Sequence, residues 1–468
     1  MTVAAPALAA AAPSPTIPGP RGNALLGMVR ELRTDLLGTL MTGFERHGDV
    51  VAYRVGPARG PRRLRPLVVA VRHPEEVRRV FLETDVFVRA TPAFDVLREL
   101  LGESLLTLEG APWRRQKRIV QPLFTRQHVA QYADLLETDA HRVVERWQTL
   151  DDRRVDVVPA MEAYALRVLG QTIFAEEDGI DAGTAAALER LVPRIGGQVV
   201  ERIAQAVRPP LWWPTARNRR FRALRAELRE TIARGLARNE RAPRSDARGV
   251  SDLLSCLRAA RDPADGTTLT HREVCDEALL FLLGGHTTTA DVLISTLHLL
   301  GRHAEVQEQV AAAAARAAGG AADDLVRAAV EEAMRLHPPS YALGRRTATD
   351  TELGGHAVPA GTLVLVVPWA THRDARFWPD PERFDPTRFV GEQDRPPFAY
   401  VPFGGGKRTC IGRHLALLES TVLVRALLRS YRLESLDATL PLSQLLSMRP
   451  SGPVRVRLHP RRPVDVRA

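Results

Sequence analysis

The segment 403–412, with the sequence FGGGKRTCIG, contains the residues best suited to do chemistry. Its three consecutive glycines permit backbone conformations that any side chain would obstruct. Cys410 follows them and precedes an apolar, helix-patterned stretch, so its sulfur is expected at the positive end of a helix. Lys407 and Arg408 add positive charge, and both effects favour thiolate over thiol. An axial ligand of haem iron requires such a sulfur, because a thiolate pushes electron density toward cleaving a bound O–O bond.

Two other interpretations of this segment deserve comparison. A cysteine near the start of a helix is commonly just a small packed residue. A phosphate-binding loop is excluded, because its first glycine would fall at Val401 and its Ser or Thr would fall at Arg408. The rest of the chain therefore decides between a packed cysteine and a ligand.

The bulk composition narrows the class of protein. The 468 residues include 45% hydrophobic residues, which is ample for a large core. A net charge of +10 predicts a solvated basic surface or docking of an acidic partner. Nucleic-acid binding is disfavoured, because aromatics make up only 5% and no reader motif occurs. The three cysteines have no close spacing, which excludes a disulfide framework and a multi-cysteine metal site and favours a reducing cytoplasm.

Two apolar stretches could be mistaken for membrane or export segments. Residues 1–17 are rich in Ala and Pro and lack charge, so they predict a disordered leader rather than a secretory signal. Residues 278–300 include His286, Asp291 and the three consecutive threonines 287–289, which predicts a buried helix rather than a membrane span. We therefore expect a soluble, monomeric protein that makes no membrane contact.

Several elements are expected to position the chemistry. Helices are predicted over 25–47, from residue 74, from residue 113, over most of 130–239 and from residues 323–324. The helix predicted from residue 113 places Trp113 and Lys117 on the same side. There they form a solvated basic face or bind an anionic group. The long helical region is predicted to break at Pro193 and over 209–214, the latter as a lid or a simple corner. Strands are predicted at 50–55, 67–71 and 454–458, with a hairpin over 352–367 and a linker at 240–250.

One long helix is predicted to cross the molecule. Thr270 and Glu273 form a capping box, and the helical pattern continues for about thirty residues. Two glycines and three threonines occupy its middle, at 284–289. Glycines inside a helix cost about 1 kcal/mol each, so they indicate a close approach of another group or another helix. The threonine hydroxyls could bind a small polar ligand.

With these features in this order, the chain resembles the cytochrome P450 family of haem-thiolate monooxygenases. The resemblance covers residues 18–458. It rests on the cysteine segment 403–412, the Glu332-Ala333-Met334-Arg335 pattern, the Pro381-Glu382-Arg383-Phe384 loop and the long helix with residues 284–289.

The resemblance implies a mainly α fold with small β-sheets, an α+β triangular prism that forms one catalytic domain over 18–468. A haem b (iron protoporphyrin IX) would be buried in it, with Cys410 as the iron ligand. Thr288 would donate a hydrogen bond to dioxygen and help deliver protons. Glu332, Arg335 and Arg383 would form a buried structural network. The remaining cofactor-binding residues implied are Trp113, Lys117, Arg345 and Arg408 at the propionates, with Phe403, Gly404 and Gly285 near the haem.

Two positions depart from the family pattern. The residue before the distal threonine is usually acidic, but Thr287 cannot ionise. Proton delivery would then depend on water, on Thr288 or on a substrate hydroxyl. Lys117 occupies a position where Arg or His is common, so it keeps the charge but loses the planar fork.

The function expected is insertion of one atom of O₂ into an apolar small molecule, by hydroxylation or epoxidation. Ferredoxin and ferredoxin reductase would supply electrons as separate chains, docking near Arg114, Arg118, Lys407 and Arg413. The alternative class is a haem protein that only binds or senses a ligand, or that does peroxide-driven or isomerase chemistry. Segments facing the substrate are expected to be mostly aliphatic, which suits terpenoid, fatty-acyl or polyketide-like molecules. They are 88–108, 193–222, the long helix, 340–343 and 445–448.

Overall fold

The computed structural model describes residues 16–57, 66–174, 182–203, 205, 208–241, 252–316, 324–392, 394–444 and 447–461. The leader predicted for 1–17 and the linker predicted for 240–250 lie almost wholly outside the described residues. Residues 58–65, between the first two predicted strands, and residues 445–446 also lie outside the described residues.

Helices account for most of the structure, which confirms the mainly α prediction with several small sheets. The helices are α1 (Val29–Thr34), α2 (Leu36–His47), α3 (Pro74–Leu82), α4 (Pro92–Leu101), α5 (Gly110–Val120), α6 (Arg126–Ala130), α7 (Ala133–Gln148), α8 (Val157–Phe174), α9 (Ala182–Ile203), α10 (Ala216–Arg241), α11 (Leu253–Ala259), α12 (His271–Arg302), α13 (Ala304–Arg316), α14 (Asp324–Leu336), α15 (Pro368–Thr371) and α16 (Arg413–Ser430). The strands are β1 (Val50–Arg54), β2 (Leu67–Val71), β3 (Phe87–Val88), β4 (Arg154–Asp156), β5 (Leu343–Thr347), β6 (Thr351–Leu353), β7 (His356–Val358), β8 (Leu363–Val366), β9 (Tyr431–Ser435), β10 (Leu442–Gln444), β11 (Met448–Pro450) and β12 (Arg455–Pro460).

The first of two compact units comprises Met1–Thr91, Ala342–Thr371 and Pro396–Arg408. Its sheet has the strand order β1-β2-β8-β5-β3, antiparallel except that β2 and β8 are parallel. β2 lies inside the sheet, and Val68 to Val71 are all buried, which explains its unbroken apolar sequence. The core under this sheet includes Phe81 of α3 and Val401.

The second unit comprises Pro92–Tyr341, His372–Arg395 and Thr409–Ala468. Its central element is α12, which packs against α8, α14 and β9. Every residue from Thr289 to Leu300 is buried, as expected for a helix covered on all sides rather than on one stripe. The unit also contains the sheet β4-β12-β9 and the pair β10-β11. That the two units form one catalytic domain stays a prediction.

The N-terminus of α12 confirms the capping box. Thr270 Oγ1 accepts the backbone N–H of Glu273 at 3.3 Å, and the Glu273 carboxylate accepts the Thr270 N–H at 2.7 Å. These reciprocal bonds satisfy two N–H groups that a helix start otherwise leaves unpaired. Among the described helices, α12 alone is long and apolar enough to cross a membrane, and 67% of its most apolar window is buried inside the protein.

Three predicted boundaries were wrong. The helix predicted over 25–47 is interrupted at Asp35, whose carboxylate accepts the Gly38 N–H and thereby starts α2. α9 continues through Pro193, because losing one helical hydrogen bond is offset by the buried face that includes Leu191 and Val199. The hairpin predicted over 352–367 ends at β7, since β8 joins the larger sheet instead.

Candidate active site

Packing within the first unit explains why the consecutive residues 404–406 of the 403–412 segment are glycines. Gly404 and Gly406 have φ of +69° and +66°, which side chains rarely adopt. A Cβ at Gly406 would lie 2.5 Å from the Phe81 carbonyl oxygen, and one at Gly405 would lie 2.6 Å from the Phe398 ring. The loop therefore packs so closely on α3 that only glycine fits, which fixes the course of the backbone just before Cys410.

Cys410 has the setting expected of a thiolate. It is the most exposed of the three cysteines, whereas burial raises the pKa of Cys256. α16 begins three residues later, and Gly412 caps it without any side-chain hydrogen bond. The first N–H groups of an 18-residue helix therefore point toward the segment that contains the sulfur. This exposure disfavours the interpretation of Cys410 as a packed small residue.

The predicted basic residues occupy different settings. On α5, Lys117 Nζ lies 5.0 Å from the centre of the Trp113 ring, which confirms that the two share a side. Arg345 is buried on β5 in the first unit, with its guanidinium 5.5 Å from the Phe81 ring centre. Arg408 is half-buried in the same unit, and its carbonyl accepts a hydrogen bond from Arg89 at 3.3 Å. Phe403, also in that unit, is half-buried.

The middle of α12 makes one diagnostic hydrogen bond. Thr288 Oγ1 lies 2.6 Å from the Gly284 carbonyl oxygen, and a carbonyl can only accept. In this conformation the hydroxyl donates to the helix, and its lone pairs are left to accept from another group. The expected donation from Thr288 to dioxygen stays a prediction, and it would require the hydroxyl to rotate away from Gly284. Thr287 is half-buried beside it.

Gly285 supports the packing alternative considered for these glycines. A Cβ there would lie 3.0 Å from the Leu169 side chain of α8, so the absent side chain allows the two helices to approach closely. At Gly284 a Cβ would meet nothing nearer than Leu280 at 3.9 Å. A role for Gly285 in cofactor binding stays a prediction.

The predicted charged network exists, but with a different third arginine. Arg335 donates to both carboxylate oxygens of Glu332, at 2.7 and 2.8 Å, and both side chains are fully buried. Arg383 is exposed, and only its carbonyl contributes, accepting from Arg335 at 3.1 Å. Arg388 instead places its Nε 3.5 Å from the Glu332 carboxylate. The assignment of Arg383 was wrong because the Pro-x-Arg-Phe pattern occurs twice, at 381–384 and at 386–389.

A buried acid on α12 was not anticipated as a feature of the site. Asp291 lies one helical turn after Thr287 and accepts a hydrogen bond from Ser447 at 3.1 Å. Burial raises the pKa of Asp291 to about 8, although Arg449 and the Ser447 hydrogen bond oppose the increase. Sequence periodicity marks Asp291 only as a polar residue in an apolar helix, and the contact with residue 447 is not visible from it.

The family comparison decides the identity of this arrangement. The cytochrome P450 family model matches residues 17–457. The chain belongs to the cytochrome P450 family. It is 34% identical to cyclooctat-9-en-7-ol 5-monooxygenase of Streptomyces melanosporofaciens over 89% of each chain. It is 32% identical to cyclooctatin synthase of the same organism over 94% of each chain. Pentalenene oxygenase of Streptomyces avermitilis is 27% identical over 84% of this chain and 86% of that protein.

The protein is therefore a cytochrome P450 monooxygenase, with iron protoporphyrin IX as its cofactor. Such enzymes use O₂, an apolar substrate and a separate redox partner. The exposed thiol of Cys410 is of the type that can ligate haem iron, and its role as the ligand stays a prediction. Within the described parts of the chain, no group of three or more His, Cys, Asp or Glu residues could hold a bare metal ion.

Proposed function

We propose that this P450 oxygenates a cyclic terpenoid, either as the hydrocarbon or as its mono-alcohol. The observation that carries the proposal is a set of leucines in the second unit that pack on its apolar core yet stay partly uncovered. Leu97 lies on α4, Leu106 and Leu108 follow that helix, and Leu283 lies on α12. Aliphatic surface of this kind suits a rigid hydrocarbon that offers few polar groups.

The names of the relatives support the same substrate class. Two of them act, by their names, on cyclooctat-9-en-7-ol and on pentalenene, and these relatives are terpenoid oxygenases. A fatty-acyl or polyketide-like substrate remains the competing class.

A binding screen on the haem-loaded enzyme tests the substrate class. Cyclic terpenes, their mono-alcohols and straight-chain fatty acids are titrated while the haem absorption is recorded. We expect a saturable spin-state shift with cyclic terpenoids. Leu283→Gln should weaken that binding about tenfold or more, because it places an unpaired amide against an apolar ligand. The exposed Val390→Gln is the control and should bind as the wild type does. Saturation by fatty acids alone would reject the terpenoid proposal.

The cofactor-binding roles form part of the same proposal. Bound haem supplies activation of O₂ for transfer of one oxygen atom to a C–H or C=C bond. Cys410 would hold the iron as a thiolate kept ionised by the start of α16 and the basic side chains nearby. We also propose that Trp113, Lys117, Arg345 and Arg408 contact the haem propionates. Phe403, Gly404 and Gly285 would contact the haem elsewhere.

The thiolate assignment has a spectroscopic test. Carbon monoxide bound to the reduced wild type should give the red-shifted absorption of thiolate-ligated haem, and Cys410→Ala should abolish it. Wild-type protein that binds haem and carbon monoxide without that red shift would refute the assignment.

Thr288 and Thr287 would guide protons without ionising. Because the Thr288 hydroxyl donates to Gly284, its free lone pairs can accept a hydrogen bond from water or from a protonated ligand. The Thr287 hydroxyl can hold a neighbouring water, which would replace the carboxylate common at that position. A substrate hydroxyl could complete this path.

We further propose that the electrons come from a ferredoxin and its reductase. Arg114 and Arg413 are exposed in the second unit, and Lys407 is exposed in the first. Arg118 contributes less charge than expected, because its guanidinium binds Asp262 at 2.6 and 2.8 Å and holds the pKa of that carboxyl at about 2. Electron transfer should slow as salt rises, since screening weakens docking of an acidic partner. A rate independent of salt would contradict charge-guided docking.

We place the enzyme in the cytoplasm as a monomer. None of the three cysteines forms a disulfide, which suits a reducing compartment. Sedimentation of the purified protein tests the oligomeric state, and cell fractionation tests the location.

A further inference from the structure

A pocket in the second unit is lined mainly by arginines. It lies within the second unit, between the end of α4, the middle of α10 and the start of α12, and has a volume of about 480 Å³. Its lining residues are Arg98, Gly102, Glu103, Arg225, Arg229 and Arg272.

Helix stability does not explain the positions of Arg225 and Arg272. Arg225 and Arg229 are four residues apart on α10, where two like charges destabilise a helix. Arg272 is the second residue of α12, where a cation opposes the positive end of the helix dipole. An arrangement that costs stability locally is expected where the charge serves a ligand.

The carboxylates nearby do not neutralise the cluster. Asp276 accepts from Arg229 at 2.8 Å and from the Glu103 N–H at 2.9 Å, so it is already engaged. It also fills the space beside Gly102, where a Cβ would overlap its carboxylate. Arg98 lies 3.6 Å from the Asp95 carboxylate, so the positive charge without a direct carboxylate partner is that of Arg225 and Arg272.

Two of the guanidinium groups are available to a ligand. Arg225 and Arg272 form no hydrogen bond or ion pair within the described residues, whereas Arg98 donates to the Thr107 carbonyl at 2.6 Å. Burial lowers the pKa of the half-buried Arg225, and the charges of Arg229 and Arg272 lower it further, although the carboxylates of Asp276 and Glu99 oppose the decrease. The pocket would therefore gain stability from a counter-charge.

We propose that this pocket binds a small multivalent anion of the phosphate or diphosphate class. Guanidinium groups bind such oxygens in pairs of parallel hydrogen bonds, and the first N–H groups of α12 reinforce the attraction. The volume of the pocket accommodates more than one anionic group. Bound there, the anion connects α4, α10 and α12, and it lies at the N-terminal end of the helix that contains Thr288.

Calorimetric titration of the haem-loaded, full-length enzyme tests the proposal. Inorganic phosphate, diphosphate, citrate and an alkyl diphosphate ester are compared at constant ionic strength. Diphosphate should bind one to one and more tightly than phosphate or citrate. Arg225→Gln and Arg272→Gln should each weaken it about tenfold or more, since each removes a charge-assisted contact. Arg222→Gln, an exposed arginine one turn from Arg225, is the matched control and should change affinity less than about twofold.

A second measurement shows that the variants are folded. Without anion, Arg225→Gln should melt at the wild-type temperature or above it, because like-charge repulsion is removed. At one fixed concentration, diphosphate should raise the melting temperatures of the wild type and of Arg222→Gln equally, and that of Arg225→Gln by less.

The results distinguish an organic anion from an inorganic one, and they also show whether the proposal fails. Tighter binding of the ester than of inorganic diphosphate identifies an organic ligand, whereas equal binding identifies the inorganic group as sufficient. Binding that is non-stoichiometric, or equal in the Arg222 and Arg225 variants, would mean an adventitious ion only. That result, or the absence of binding, would overturn the proposal without affecting the monooxygenase assignment.

Discussion

Replacing either arginine of the repeated Pro-x-Arg-Phe pattern tests which of them supports the buried Glu332–Arg335 pair. We compare Arg388→Gln with Arg383→Gln, so that each variant loses one guanidinium and keeps a polar side chain. The structure predicts that Arg388→Gln is the more destabilising, because its guanidinium is the one beside the Glu332 carboxylate.

The size of the expected stability loss follows from the contacts that Arg388 makes. Arg388 is 12% exposed and has one ion-pair contact at 3.5 Å, which is long for a hydrogen bond, and one hydrogen bond to the Asp380 carbonyl at 3.1 Å. Glu332 keeps its two bonds from Arg335 in the variant. We therefore expect a loss of about 1–3 kcal/mol, less than the roughly 3–5 kcal/mol for removing a direct partner of a buried charge. Arg383→Gln should change stability by less than about 0.5 kcal/mol, since its side chain is exposed and its carbonyl is retained.

Urea unfolding of the haem-loaded variants, followed by far-ultraviolet circular dichroism, measures these differences in the free energy of unfolding. Arg335→Ala marks the upper limit, because it removes a guanidinium that also donates to the carbonyls of His372 and Pro381, at 2.9 and 2.6 Å. If Arg383→Gln lost as much stability as Arg388→Gln, the reassignment of the third arginine would be wrong.

Three further substitutions test separate parts of the structure. Thr288→Ala should still consume reductant but release more peroxide per product, and an unchanged product yield would remove Thr288 from proton delivery. Gly406→Ala should cost at least about 2 kcal/mol more than Gly355→Ala in urea unfolding; both have positive φ, but only Gly406 lies against the Phe81 carbonyl. Asp291→Asn should match the wild type near pH 4 and become relatively more stable as pH rises. The folded-state pKa of Asp291 is raised from 3.8 to about 8, so the wild type loses about 1.4 kcal/mol per pH unit in that window. A stability difference that stays constant from pH 5 to 8 would contradict the burial argument.

Local signals in the sequence determined much of the site. The glycines and Cys410 are contiguous, and the capping box of α12 is set by residues three apart. Glu332 and Arg335 are also three apart on a helix, so their contact follows from helical geometry alone. The sequence therefore sufficed for the mainly α fold and the cytochrome P450 family.

Only the tertiary structure decided between the two Pro-x-Arg-Phe arginines, because both satisfy the same local pattern. Arg388 reaches Glu332 across more than fifty residues of chain, and only the path of the backbone determines which side chain arrives. The arginine pocket has the same origin, since it combines three helices whose charges appear in the sequence as ordinary solvated faces. The raised pKa of Asp291 is a consequence of burial, and burial depends on every element packed around α12.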